Sequence, residues 1–217
     1  MEDKNQTNNT ALIDRKSWIE FVSIIIMSIA TVAAAWSSSQ AAKWGGEMVI
    51  NFNQAVEKRT ESVRASLTAG QLTNLDIFLF NEWLAATYEE NEELADFYLD
   101  RMRNDFRPAL DAWLASKPLI NPDAKPSPFS MPEYTLPEYE RAIHLEQEAS
   151  QLIEIGMEDN QLSDEYIANT VIMASVLFFA GISTRFKQYS AQVIMIIFSL
   201  GLLMYGVYHI IISPVSF

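Results

Sequence analysis

The chain has no cysteine, only two histidines and only seven glycines among its 217 residues. Without cysteine there is no disulfide framework, no thiolate nucleophile and no cysteine-ligated zinc. Two histidines leave little material for an imidazole-rich metal centre. The few glycines form no phosphate-cradling loop, dinucleotide fingerprint or nucleophile elbow, and zinc-protease and EF-hand patterns are missing too. No cofactor and no catalytic residue is implied. Positive charge is also short: 15 basic residues face 28 acidic ones, a net of −13. That balance argues against a nucleic-acid partner, whose affinity rests on neutralising phosphates.

Charge of either sign is absent from three long runs, Phe21 to Ala42, Ile167 to Thr184 and Gln188 to Phe217. A bilayer core about 30 Å thick is crossed by roughly 20 apolar residues as helix. Transmembrane helices are therefore expected over 18–37, 166–184 and 190–212. Trp18 and Trp36 bracket the first, as interfacial aromatics do, and Glu20 lies close enough to its end to snorkel. The second and third are separated only by a short loop, 185–189, so they form a hairpin.

Lysine and arginine near span ends set orientation. Arg15 and Lys16 precede the first span, and Arg185 and Lys187 sit in the loop. Both places belong on the cytoplasmic side of the membrane, which makes 1–17 a cytoplasmic tail. Residues 38–165 and the C-terminal 213–217 then lie outside. The 38–165 segment holds 24 acidic and 10 basic residues, a net of −14. Arg15-Lys16, an apolar core and Ala33-Ala34-Ala35 also resemble a cleaved secretory signal. The 17 residues before the core and its full span length weigh towards a retained helix. The sequons at Asn5 and Asn8 matter only in an outward-facing eukaryotic tail.

Between the first two spans the apolar periodicity is helical. Trp44, Met48, Phe52, Val56, Val63 and Leu67 form one stripe of a helix over 38–69, stopped by Gly70. Gly45 and Gly46 are hinge candidates. Residues 73–88 are apolar almost all round, the pattern of a central helix. Asn91 caps a third helix with Glu92 and Glu93 in its first turn and Leu94, Phe97, Tyr98 and Met102 inward. A short helix over 108–115 follows, with Leu110, Trp113 and Leu114. Six of the eight prolines then fall within 117–137, favouring extended chain. Thr135-Leu-Pro-Glu138 has the form of a capping box that opens the helix leading to the second span. The fold expected is all-α: three transmembrane helices plus an extracytoplasmic helical bundle inserted between the first and second.

Candidate sites are few. Glu89, Glu93, Asp96 and Asp100 share one face if their helix is unbroken, and a carboxylate row attracts calcium or a basic partner. A solvated acidic face is the simpler reading, because the turn glycine of a calcium loop is missing. His144 suits a solvated helix position, and His209 suits interfacial hydrogen bonding. The spans carry only mild polar groups (Ser23, Ser28, Thr31, Thr170, Ser175, Gln192, Ser199), so a proton relay has no carrier. Ser28, Thr31 and Ala35 on the first span, with Gly181, Gly201 and Gly206 on the others, suit close helix packing or self-association.

The stretch Ala35-Trp36-Ser-Ser-Ser-Gln40-Ala-Ala-Lys-Trp44-Gly-Gly-Glu47 resembles the start of uncharacterised prokaryotic membrane proteins with one N-terminal and two C-terminal spans. Leu177-Phe-Phe-Ala-Gly-Ile-Ser183, Arg185-Phe186 and Asn121-Pro-Asp123 add to the resemblance. It implies an inner-membrane location and carries no catalytic residue across. The expectation is a non-enzymatic membrane protein whose acidic helical domain interacts or senses outside, with a membrane or extracytoplasmic protein, or a second copy of itself, as partner. A homo-oligomeric channel is the alternative, since three spans alone enclose no pore.

Overall fold

The computed structural model describes residues 2–118 and 120–216, with side chains from Ser17 onward except within the same gap. Arg15, Lys16 and the two sequons lie outside the described side chains. The described residues form five α-helices and no strand: α1 Glu2–Tyr88, α2 Glu92–Leu99, α3 Arg107–Ala115, α4 Pro137–Ser183 and α5 Tyr189–Ile212. A single 3-10 turn, Pro128–Ser130, interrupts the proline-rich segment. Three of the helices, α1, α4 and α5, are long and apolar enough to cross a membrane.

The chain divides into two compact units, Met1–Asn53 with Ile153–Phe217, and Gln54–Leu152. The division falls beyond the ends of the apolar spans because polar pairs extend the first unit's packing. On α1 of this unit the buried positions are Ile19, Ser23, Ile26, Ala30, Ala33, Ser37 and Gln40. They alternate four and three residues apart, the seam by which one helix packs along another. On α5 the buried residues Gln192, Ile196, Ser199, Leu203 and Gly206 repeat the same spacing. Contacts give the register with α4. Ser23 meets Ser183, Asn169 bonds Ser37, Ser163 bonds the Ala41 carbonyl, and Asn51 bonds Asp159. Each step forward on α1 is a step back on α4, so the two run antiparallel.

The spans bury several polar groups within an apolar core and turn large apolar side chains outward. Ser23, Ser37, Asn169, Gln192 and Ser199 are buried, while Phe21, Ile24, Val32, Phe178, Ile194 and Ile197 are exposed. In water the exposed apolar face would squander the hydrophobic effect; in hydrocarbon it meets like surroundings, and exposed Ser28 and Thr31 satisfy their hydroxyls on carbonyls of their own helix. The chain is a membrane protein with three spanning helices.

In the second unit α1 and α4 are again antiparallel, tied by Lys58 to Glu148, Arg59 to Glu146 and the Ser62 hydroxyl to the Ala142 carbonyl. The two ion pairs are exposed and contribute little. The seam is built mostly from small residues, Ala55, Ser62, Ala65 and Ala69 on α1, with Ala142, Leu145 and Ala149 buried on α4. This corrects the expected stripe: Val56, Val63 and Leu67 point outward. Small side chains let the two helices approach closely enough for the Ser62 hydroxyl to reach the Ala142 carbonyl at 2.7 Å.

Gly70 does not stop the helix. No glycine has a positive φ, so the left-handed geometry of a glycine stop is absent, and α1 runs on to Tyr88. Buried positions continue in phase past Gly70, at Asp76, Leu79, Phe80 and Ala86. Their packing overrides the roughly 1 kcal/mol that glycine costs a helix. The 73–88 stretch is also not enclosed on all sides, because Leu75, Phe78 and Leu84 are exposed.

The helix ends where Glu90 takes a φ of 58°. Asn91 then accepts the Leu94 amide as N-cap of α2, as its sequence pattern requires. Leu94 and Phe97, expected inward, are exposed, and Arg101 lies over the Phe97 ring at 3.4 Å. The proline-rich segment is more than a connector. Its Phe129 stands edge-on to Phe80 at 5.7 Å, stacks on Phe106 at 5.2 Å and meets Tyr134 at 5.3 Å. Leu79, Met102, Leu110 and Trp113 complete this core. α4 opens at Pro137, where the Leu136 carbonyl accepts from the Tyr139 and Glu140 amides.

Candidate functional site

Asp76 is a lone acid in the apolar run Leu75–Phe80, and the structure buries it completely. A buried carboxylate needs compensating charge and hydrogen bonds. Arg103 supplies both, donating Nε to Oδ1 at 3.0 Å and Nη2 to Oδ2 at 2.7 Å. The Tyr134 hydroxyl donates to Oδ2 at 3.2 Å. This two-pronged pair holds together α1, the chain after α2 and the proline-rich segment. Donating to the Asp76 carboxylate raises the Arg103 pKa further above its ordinary value. Burial chiefly, with Asp76 nearby, pushes the Tyr134 phenol above its ordinary 10.0.

The raised phenol pKa carries a sign. Tyr134 contributes its full share to stability below pH 10.0, and that share is lost as pH climbs through the higher folded value. Denaturant midpoints of the full chain, measured from neutral pH upward, are expected to fall beyond about pH 10. Tyr134→Phe should fall less steeply. Equal slopes for the two proteins would show that Tyr134 is not responsible.

Beside this cluster lies an apolar groove of about 260 Å³, formed by the last turns of α1, the end of α3 and the chain after it. Trp83, Leu84, Trp113, Leu114, Pro118 and Ile120 line it, with Thr87 and Lys117. The Trp113 indole donates to the Lys125 carbonyl at 2.8 Å, which fixes that wall. Lys117 follows α3 with a φ of 54°, turning the chain back towards α1. Ile120 is 82% exposed, an unusual place for a large aliphatic residue on a folded loop. The sequence reading passed over this groove. The signal was two tryptophans, Trp83 and Trp113, each followed directly by leucine near a helix end.

The carboxylate row is not assembled as one helical face, because the chain breaks between Glu89 on one side and Glu93, Asp96 and Asp100 on the other. Among the described residues no group of three or more His, Asp or Glu side chains is arranged to hold a metal ion. His144 is exposed, with Nδ1 3.2 Å from Glu148. His209 Nδ1 lies 3.2 Å from the Ser213 hydroxyl, and its Nε2 is 4.0 Å from Glu165.

The small residues of the spans have different fates. Ser28, Thr31, Ala35 and Gly201 are exposed, and the Ser28 and Thr31 hydroxyls bond carbonyls of their own helix. A Cβ added at Gly181 would stand 3.9 Å from Met27 Cε, an ordinary contact. Gly206 is pressed against α4: a Cβ would stand 1.9 Å from Met173 Cε and 2.8 Å from Asn169 Oδ1. α1 passes through Gly45 and Gly46 as unbroken helix. An apolar groove of about 540 Å³ between α1 and α5 is lined by Ile29, Val32, Trp36, Val207 and Ile210.

After α5 the chain is held by side chains of the same unit. Gln40 exchanges two hydrogen bonds with the Ser216 backbone at 2.8 and 3.1 Å. Trp44 and Tyr166 both donate to the Pro214 carbonyl. Such satisfaction is what a helix end at a membrane boundary requires.

The fold and these sites define an all-α membrane protein with three spanning helices and a second compact helical unit. No protein-family model, no curated protein and no solved structure matches the chain.

Proposed function

We propose that the chain is a non-enzymatic, three-pass protein of a prokaryotic cytoplasmic membrane that displays residues 54–152 outside the cytoplasm as a protein-interaction module. The single observation that carries this reading is the apolar groove left open on that unit between Trp83, Leu84, Leu114 and Ile120. Soluble surfaces seldom leave large apolar residues clustered without a partner. Orientation rests on Arg15, Lys16, Arg185 and Lys187 as the cytoplasmic charges. A homo-oligomeric channel draws less support. Several of the polar groups it would need around a pore are bonded inside the three helices, as with Ser23 to Ser183 and Asn169 to Ser37, which leaves Ser28 and Thr31 as the exposed ones on the first span.

The absence of cysteine makes the test direct. Single substitutions Ser66→Cys and Lys187→Cys are exposed to a membrane-impermeant maleimide in intact cells. Ser66→Cys is expected to label and Lys187→Cys to label only after lysis; the reverse pattern overturns the topology. A photo-crosslinking residue at position 114 should then yield a discrete protein adduct, absent when it is placed at position 66. Identical adducts at both positions, or none at 114, would remove the interaction reading.

A further inference from the structure

The groove also indicates what kind of partner it takes, an inference that rests on the interaction reading above. We infer that it docks a protein segment presenting bulky aliphatic or aromatic side chains flanked by lysine or arginine. The lining is apolar apart from Thr87 and Lys117, so the anchor must be apolar. The surroundings are acidic. Glu89 and Glu90 follow Tyr88, one residue past Thr87, and the Glu90 amide bonds the Thr87 carbonyl at 3.2 Å, which closes a turn at the end of the groove's α1 wall. Asp111 precedes Leu114 by one helical turn and shares its face of α3. Glu89, Glu90 and Asp111 are all exposed.

The single cation of the lining, Lys117, is outnumbered locally, and the whole 54–152 unit carries 18 acidic against 9 basic residues. A second copy of this unit would bring the same excess of negative charge to the contact, which disfavours self-pairing. A basic partner gains from the same field, both in encounter rate and in the salt dependence of binding. Leu94 and Phe97 on α2 are exposed as well, but the Arg101 guanidinium lies over the Phe97 ring, so the groove is the apolar anchor point.

The test uses the full chain in nanodiscs of zwitterionic phosphatidylcholine and two fluorescent amphipathic peptides. Both have the same leucine pattern, one with lysine and one with glutamate at the polar positions, and empty nanodiscs serve as the blank. The lysine peptide is expected to bind at least about tenfold more tightly than the glutamate peptide, weakening as salt rises. Leu84→Ser with Ile120→Ser leaves net charge unchanged and should weaken the lysine peptide by about tenfold. Glu89→Gln, Glu90→Gln and Asp111→Asn together should weaken it several-fold and flatten the salt dependence. Unchanged tryptophan emission and melting establish that the variants fold.

Equal binding of the two peptides overturns the proposal, as does a serine pair that binds like the parent, since the attraction would then be charge alone. A particle of dimeric mass that the serine pair returns to monomer assigns the groove to a second copy and also overturns it. Reversed maleimide labelling would refute the topology without touching this result, so the two failures are distinguishable.

Discussion

Replacing Arg103 by alanine is expected to destabilise the 54–152 unit by about 3–5 kcal/mol, the cost of stranding a buried charge. The Asp76 side chain is wholly inaccessible, and Arg103 gives it two of its three hydrogen bonds recorded here. With the guanidinium gone, the carboxylate must either stay ionised in an apolar setting or take up a proton. Arg103→Lys should recover part of the loss, because a lysine retains the charge but not the paired donors. The informative variant is the double one, Asp76→Leu with Arg103→Met. Removing both charges abolishes their desolvation along with their attraction, so it should be far milder than either single change. Unfolding of the full chain followed by tryptophan emission reads all three, since Trp113 is part of the adjoining core. A fully stable Arg103→Ala protein would mean that Asp76 is not enclosed as described.

Gly206→Leu is expected to loosen the packing of α5 on α4, at a cost of about 1–3 kcal/mol for overfilling a close contact. The first added carbon already meets Met173 and Asn169. The Met173 end is flexible and can rotate aside. Asn169 cannot retreat freely, because its amide donates to Ser37 at 2.9 Å inside the helix interface. Gly206→Ala should therefore cost less than Gly206→Leu. Gly201→Leu supplies the control, having no neighbouring atom within 4 Å of a Cβ. Thermal aggregation in one detergent should show a lowered midpoint for position 206 and little change for position 201. A reversed order would refute the close approach of α5 to α4 at Gly206.

Much of the architecture was legible in the sequence. The three uncharged runs, the Asn91 cap and the proline in the first turn of α3 each point to the elements observed. These are local signals, and each depends on residues near one another in the chain. Glycine at position 70 misled for the same reason, since a weak local preference was outweighed by packing that the local sequence does not display. The face assignments failed together. Val56, Val63 and Leu67 look like a core stripe by size, yet Ala55, Ser62, Ala65 and Ala69 occupy the seam. Which stripe turns inward depends on what α4 offers opposite, and α4 offers Ala142 and Ala149.

The candidate groove was less legible than the fold. Its walls come from positions 83–87 and 113–120, joined only because the chain reverses after α1 and again after α3. The acidic row was visible, but its alignment assumed a helix that breaks at Glu90.

By itself the sequence determined that this is an all-helical membrane protein with one strongly acidic segment between its first and second spans. Runs without charge and helical periodicity are sufficient for that, because hydrocarbon tolerates few other structures. Only the tertiary structure decided which residues lie inside, that Asp76 finds Arg103, and that Trp83 and Trp113 frame an open groove. Those outcomes depend on the fit between surfaces distant in sequence, where close approach of small side chains outweighs the apolar bulk of any one helix.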